Sequence, residues 1–140
     1  MKKVVSVILA VLVLAISLCG CSSTEKKYLE VVNQYLKEEF SMGNLEGQDT
    51  YVKIVDDDDV EAYVYGVASI EGNSTNGIMF VMKKGALKAY ENGESLSSYV
   101  KRKIPKSKVS NPYGGPAISI GDFEAPTLEE LENEWEHFES

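Results

Sequence analysis

An α+β fold, an N-terminal helix packed on a four-stranded antiparallel meander with further helices at the C-terminus, follows from three features of the chain. Apolar residues first recur at helical spacing. They then switch to alternation at every second position, and the alternating runs are joined by turns too short for crossovers.

The helical stretch is residues 24–40, TEKKYLEVVNQYLKEEF. Tyr28, Leu29, Val32, Tyr35, Leu36 and Phe40 fall at steps of three and four, which places them on one face. Residues 41–44, Ser-Met-Gly-Asn, end it, with Gly43 as the expected C-cap. Four alternating runs follow: TYVKIV (50–55), VEAYVYGVASIE (60–71), GIMFVMK (77–83) and ALKAYE (86–91). They are rich in β-branched and aromatic residues, and turn signals at 56–59, 72–76 and 84–85 separate them.

The second run is apolar on both faces. Period two puts Val60, Ala62, Val64, Gly66, Ala68 and Ile70 on one side, and Glu61, Tyr63, Tyr65, Val67 and Ser69 on the other. A sheet with water on one side alternates more cleanly, so both faces need cover. The small residues Ala62, Gly66 and Ala68 suit close approach of the first helix. The tyrosine face is left for helices at residues 94–104 and 127–139. In the latter, Thr127 and Glu130 form a capping box, and Leu128, Leu131, Trp135 and Phe138 form an apolar stripe. Residues 105–126 hold all four prolines, a long irregular segment for a compact domain, within which 117–123 has the alternation of a short edge strand.

Ahead of this domain stands a segment of different character. Met1, Lys2 and Lys3 give a basic start and residues 4–18 are apolar apart from Ser6 and Ser17, the order of a secretory signal peptide and too short for a spanning helix. It ends in Leu18, Cys19, Gly20 and Cys21, followed by Ser22. This resembles the lipobox of bacterial lipoproteins. The resemblance covers residues 1–22 and implies that residues 1–20 are removed and that Cys21 carries a diacylglycerol on its sulfur. It also implies a protein held at the extracytoplasmic face of the cell membrane, with the bilayer as its first partner. Residues 21–24 are then the tether and 25–140 a single domain. A fully extended span from Cys21 to Thr24 covers only about 14 Å, so the domain is expected close to the bilayer.

With Cys19 removed and the Cys21 sulfur in a thioether, no disulfide, thiolate nucleophile or cysteine metal site is expected. Loss of Lys2 and Lys3 from the 14 basic residues leaves 12 against 22 acidic ones, a charge of −10 that disfavours nucleic acid as a partner. The charge is unevenly distributed. Residues 83–108 carry eight Lys or Arg and two Glu, whereas residues 122–140 carry eight acids and no Lys or Arg. The sharpest basic cluster, 101–108, is expected either to meet the acidic C-terminal helix or to face anionic lipid or wall polymer.

No catalytic or cofactor motif emerges. The four aspartates at 56–59 lack the ligand alternation and central glycine of an EF-hand loop and suit a polar turn. His137, the only histidine, has Glu134 three residues before it on one helical face, but no matching metal ligands. No glycine-rich phosphate loop follows a strand. The domain is loosely similar to cystatin-like and NTF2-like folds, in which a helix lies against a curved antiparallel sheet; fold alone does not assign function. The expectation is a non-catalytic binding or interaction domain without cofactor, meeting an envelope protein or cell-wall component. Tyr113, Gly114, Gly115 and Pro116 are its candidate recognition loop. The alternative is a small ligand-sequestering protein or envelope enzyme using a face lined by Tyr51, Tyr63 and Tyr65, since tyrosines offer contact area with a hydrogen-bonding tip.

Overall fold

Helix α1 (Thr24–Phe40) opens the fold in a computed structural model that describes residues 23–41, 45, 47–71, 74–105 and 122–139. The Ser23 side chain caps it by accepting from the Lys26 N–H at 3.2 Å, and the left-handed Ser41 closes it by donating its N–H to the Leu36 carbonyl. The cap therefore falls before Gly43, which lies outside the described residues. Strands β1 (Asp49–Ile54), β2 (Val60–Glu71) and β3 (Ser74–Lys83) follow as an antiparallel meander. Next come helix α2 (Ala86–Glu91), β4 (Val100–Pro105), β5 (Asp122–Phe123), helix α3 (Leu128–Glu134) and β6 (Glu136–Phe138). The sheet order is β5-β4-β3-β2-β1-β6, antiparallel except where β5 runs parallel to β4.

The α+β class and the opening helix-then-meander order hold, while two elements exchange types. Residues 86–91, expected as the fourth strand, form α2. ALKAYE has no β-branched residue, and Ala86 and Ala89, both buried, lie one helical turn apart. Residues 94–104, expected as a helix, form a turn and then β4, the true fourth member of the meander. In VKRKIP, Val100, Arg102 and Ile104 alternate with Lys101 and Lys103, and Val100 and Ile104 are β-branched. The third departure is at the C-terminus. The capping box at Thr127 and Glu130 forms, but α3 ends at Glu134, Trp135 is extended, and the chain enters β6 on the outer edge of β1. Of the expected edge strand at 117–123, Asp122 and Phe123 lie among the described residues and pair with β4.

Both faces of the sheet are covered. On one, Val31, Val32, Tyr35 and Leu36 of α1, Ala86 and Ala89 of α2, and Leu96 pack on Val52, Ala62, Val64, Phe80, Met82 and Val100. Ala62 is buried in the core cluster that α1 enters; at Gly66 it is the Leu45 side chain, not α1, that comes nearest. On the other face, Leu131 packs with Tyr51, Tyr65 and Val67, flanked by Met79, Phe123 and Trp135.

The β2–β3 pair has two register shifts, and the first re-aims a side chain. This one, between Val60 and Ala62, leaves Glu61 as an extra residue. Strict alternation would place its carboxylate with Tyr63 and Tyr65; instead it reaches the helical layer. There it accepts from the Gly85 N–H at 3.0 Å and the Leu87 N–H at 2.9 Å, and hydrogen-bonds Tyr28. This carboxylate ties β2 to α1 and to the start of α2. Glu61→Gln is expected to cost about 1–3 kcal/mol, because an amide NH2 would face a backbone N–H that then has no acceptor. Urea denaturation would measure it, and an unchanged midpoint would show the tie to be idle.

Tyr28, Tyr35 and Tyr51 all have phenol pKa values raised above the ordinary 10.0, each mainly by burial. Glu61 and Glu91 add to this at Tyr28, Glu39 at Tyr35, and Asp49 and Glu132 at Tyr51, while Arg102 opposes it at Tyr35. Because the folded state holds these protons more tightly than the unfolded chain, the contribution is intact below about pH 10 and is lost as pH rises towards the folded values. Tyrosinate absorbance should therefore lag behind that of free tyrosine and then rise together with loss of circular dichroism. Full ionisation near pH 10 with the fold intact would contradict it.

Candidate functional site

The tyrosine face is filled by the protein itself. Tyr51 and Tyr65 pair across β1 and β2 and are 6% and 0% exposed. Trp135 and Phe123 stand edge-on to Tyr65 at ring-centroid distances of 6.4 and 6.1 Å, and Trp135 lies tilted over the half-buried Tyr63 at 6.4 Å. A ligand on Tyr51 or Tyr65 would have to displace α3. Phe138, expected on the same apolar stripe as Trp135, is carried by β6 to the opposite face, beside the helical core. Cys21 and the loop residues Tyr113, Gly114, Gly115 and Pro116 lie outside the described residues, as do residues 106–108 of the basic cluster.

Among the described residues, Lys101, Arg102 and Lys103 form no ion pair with the acidic C-terminal block, although Asp122 at its start lies in β5 beside Ile104 of β4. β4 and β6 are separated by three strands, roughly 19 Å at ~4.8 Å per strand spacing. Arg102 instead stacks over Phe40 at the end of α1, 4.6 Å from the ring centroid. The acidic block takes its partners from β1: Glu134 pairs with Lys53, and His137 lies 3.2 Å from Asp49 while stacking on Tyr51 with ring centroids 4.5 Å apart. Glu134 and His137, expected on one helical face, are thus drawn to different partners because the helix ends between them. Among the described residues no group of three His, Cys, Asp or Glu is placed to hold a metal ion, and Asp56 pairs with Lys84 in the expected turn.

A concave feature lies on the helical side at the β6 end of the sheet. A cavity of about 140 Å³ is bounded by Leu29 and Asn33 of α1, Leu45 and Gln48 of the following connection, Thr50 of β1 and Phe138 of β6, with the exposed Gly47 and Glu139 completing its rim. Its walls are built by local chemistry. Asn33 Oδ1 accepts the Leu45 N–H at 2.9 Å, which pins the connection to α1. The Thr50 hydroxyl, on a residue 2% exposed, donates to the Gln48 carbonyl at 3.3 Å. Gly66 beneath leaves room for Leu45 and Gln48, which lie 3.4 and 3.8 Å from where a Cβ would stand. The lining is mostly apolar, with an amide from Gln48 and a carboxylate from Glu139.

Sequence patterns did not point to this cavity. The only signal was Asn33, a polar residue next to the apolar stripe of α1, and its meaning depends on where Leu45 lies. No family model, curated protein or solved structure matches the chain.

Proposed function

We propose that the chain is an extracytoplasmic lipoprotein, anchored through acylated Cys21, that presents a non-catalytic binding domain directly above the bilayer. The observation that carries this is the position of the lipobox. Cys21 stands two residues before Ser23, the capping residue of a helix whose buried side chains belong to the main core. A diacylglyceryl cysteine acylated also at its amino group brings more than one chain, each buried methylene contributing about 0.8 kcal/mol, which gives stable anchoring. The distance from lipid to folded domain is then too short for the domain to range far from the membrane. A binding role is supported by the cavity at the β6 end of the sheet, with its apolar wall and acidic rim.

Mass spectrometry of the N-terminus tests the anchor. The expected product begins at Cys21 with diacylglycerol on sulfur, and Cys21→Ser should move the protein from the membrane to the soluble fraction while Cys19→Ser leaves it in place. An unmodified Cys21, or retention of residues 4–18, would refute it.

A further inference from the structure

We propose that the outer edge of β6 and the adjoining cavity form a receptor site for an extended, basic peptide segment of another protein, added to the sheet as a seventh strand. β6 ends the strand order, and among the described residues no strand pairs with its outer flank. An unpaired edge presents a row of backbone donors and acceptors, the template used in recognition by strand addition.

The register supplies the side-chain code. Glu136 and Phe138 lie opposite Val52 and Thr50, which face the helical layer, whereas His137 lies opposite Tyr51 and faces α3. Residues directly opposite one another on neighbouring strands project to the same face with Cβ atoms about 4.5–5.5 Å apart. A partner residue opposite Phe138 therefore projects beside the cavity that Phe138 lines. Apolar cavities of about 150 Å³ admit a benzene-sized group, so an aliphatic side chain fits this one. A partner residue two positions away lies opposite Glu136 and is best met by Lys or Arg. Between them, a small polar residue passes His137.

Charge complementarity selects the partner. Glu136 and Glu139 flank the edge, are exposed, and have no cationic partner among the described residues. The block 122–140 has no Lys or Arg to supply one. The same charge opposes pairing of two β6 edges from two copies. The matching segment is an apolar residue with Lys or Arg two positions from it, in extended conformation. This rests on the chain being a binding domain and is independent of whether Cys21 is acylated.

The test titrates the full chain, purified in detergent, with the acetylated and amidated peptide Ser-Lys-Thr-Leu-Thr-Lys-Ser. Saturable shifts of the Glu136, His137 and Phe138 amides and of the Leu29 and Leu45 methyls are expected. Affinity should fall at least about tenfold, equivalent to ~1.4 kcal/mol, when the two peptide threonines, one of which lies opposite the outward-facing His137 backbone in an antiparallel strand, are N-methylated, when the leucine is replaced by alanine, or when the protein carries Glu136→Lys. Glu139→Lys gives the same readout should Glu136→Lys disturb folding, and unchanged amide shifts elsewhere verify the fold. Equal binding by the N-methylated peptide, shifts confined to other surfaces, concentration-dependent dimerisation through β6 without peptide, or no saturation at millimolar peptide would each overturn the proposal. The peptide result and the N-terminal mass are separate measurements, so failure of one leaves the other readable.

Discussion

Gly77→Ala is expected to destabilise the protein by about 3 kcal/mol, a large fraction of the stability of a small domain. Gly77 lies opposite Val67, beside the second register shift of the β2–β3 pair. A Cβ built there would stand 2.1 Å from the carbonyl oxygen of Gly66 and 3.0 Å from the ring of Tyr65. Neither neighbour can give way cheaply. The first is backbone at the centre of the sheet, and the second is a side chain that is 0% exposed and locked under Trp135 and Phe123. The methyl must therefore push β2 and β3 apart at the point where the irregular register already weakens their pairing. Thermal unfolding should fall by roughly 10 °C or more. A change of less than about 2 °C would mean that Gly77 does not sit against Gly66, and hence that the β2–β3 register differs from the one described.

The same pair of strands shows how much of the fold was readable from residue order. Two apolar faces on 60–71 correctly called for cover on both sides, because burial acts on every residue of the strand regardless of which element supplies the cover. The identity of the covering elements was less accessible. ALKAYE and VKRKIP are six residues each, too short for periodicity to separate helix from strand, and their types were decided by which segment could complete the edge of β3. Glu61 was assigned to the wrong face because a bulge adds one residue to the count and no local pattern announces it. The candidate site was less readable still. Leu29, Asn33, Thr50 and Phe138 are separated by up to 109 positions and are brought together by β6, whose pairing with β1 is a long-range event that the acidic pattern of residues 128–138 disguised as more helix.

β6 in turn depends on α3, and that dependence makes Leu131→Ala the most informative core substitution. Leu131 is 0% exposed and is the residue of α3 that enters the second core, between Tyr51, Tyr65 and Val67. Replacing a buried leucine by alanine loses the transfer free energy of the removed carbons and leaves a cavity, at a cost of about 2–5 kcal/mol. The site has little means of collapsing. Tyr65 is fixed by Trp135 and Phe123, and Tyr51 by the stacked ring of His137, so the upper half of that range is expected. α3 has only seven residues and no basic residue in its last turn, too short to persist without docking. The three residues of β6 follow it after Trp135 alone. Loss of the Leu131 anchor is therefore expected to release α3 and β6 together before the meander unfolds. Hydrogen exchange reads this distinction: amides of residues 128–138 should lose protection in Leu131→Ala while Val64, Phe80 and Met82 keep theirs, since the core under α1 does not include Leu131. Protection lost uniformly across the chain would show one cooperative unit instead. Release of β6 also removes Phe138 from the cavity wall and Glu136 from the edge, so peptide binding there should vanish in this variant while the helical core remains folded.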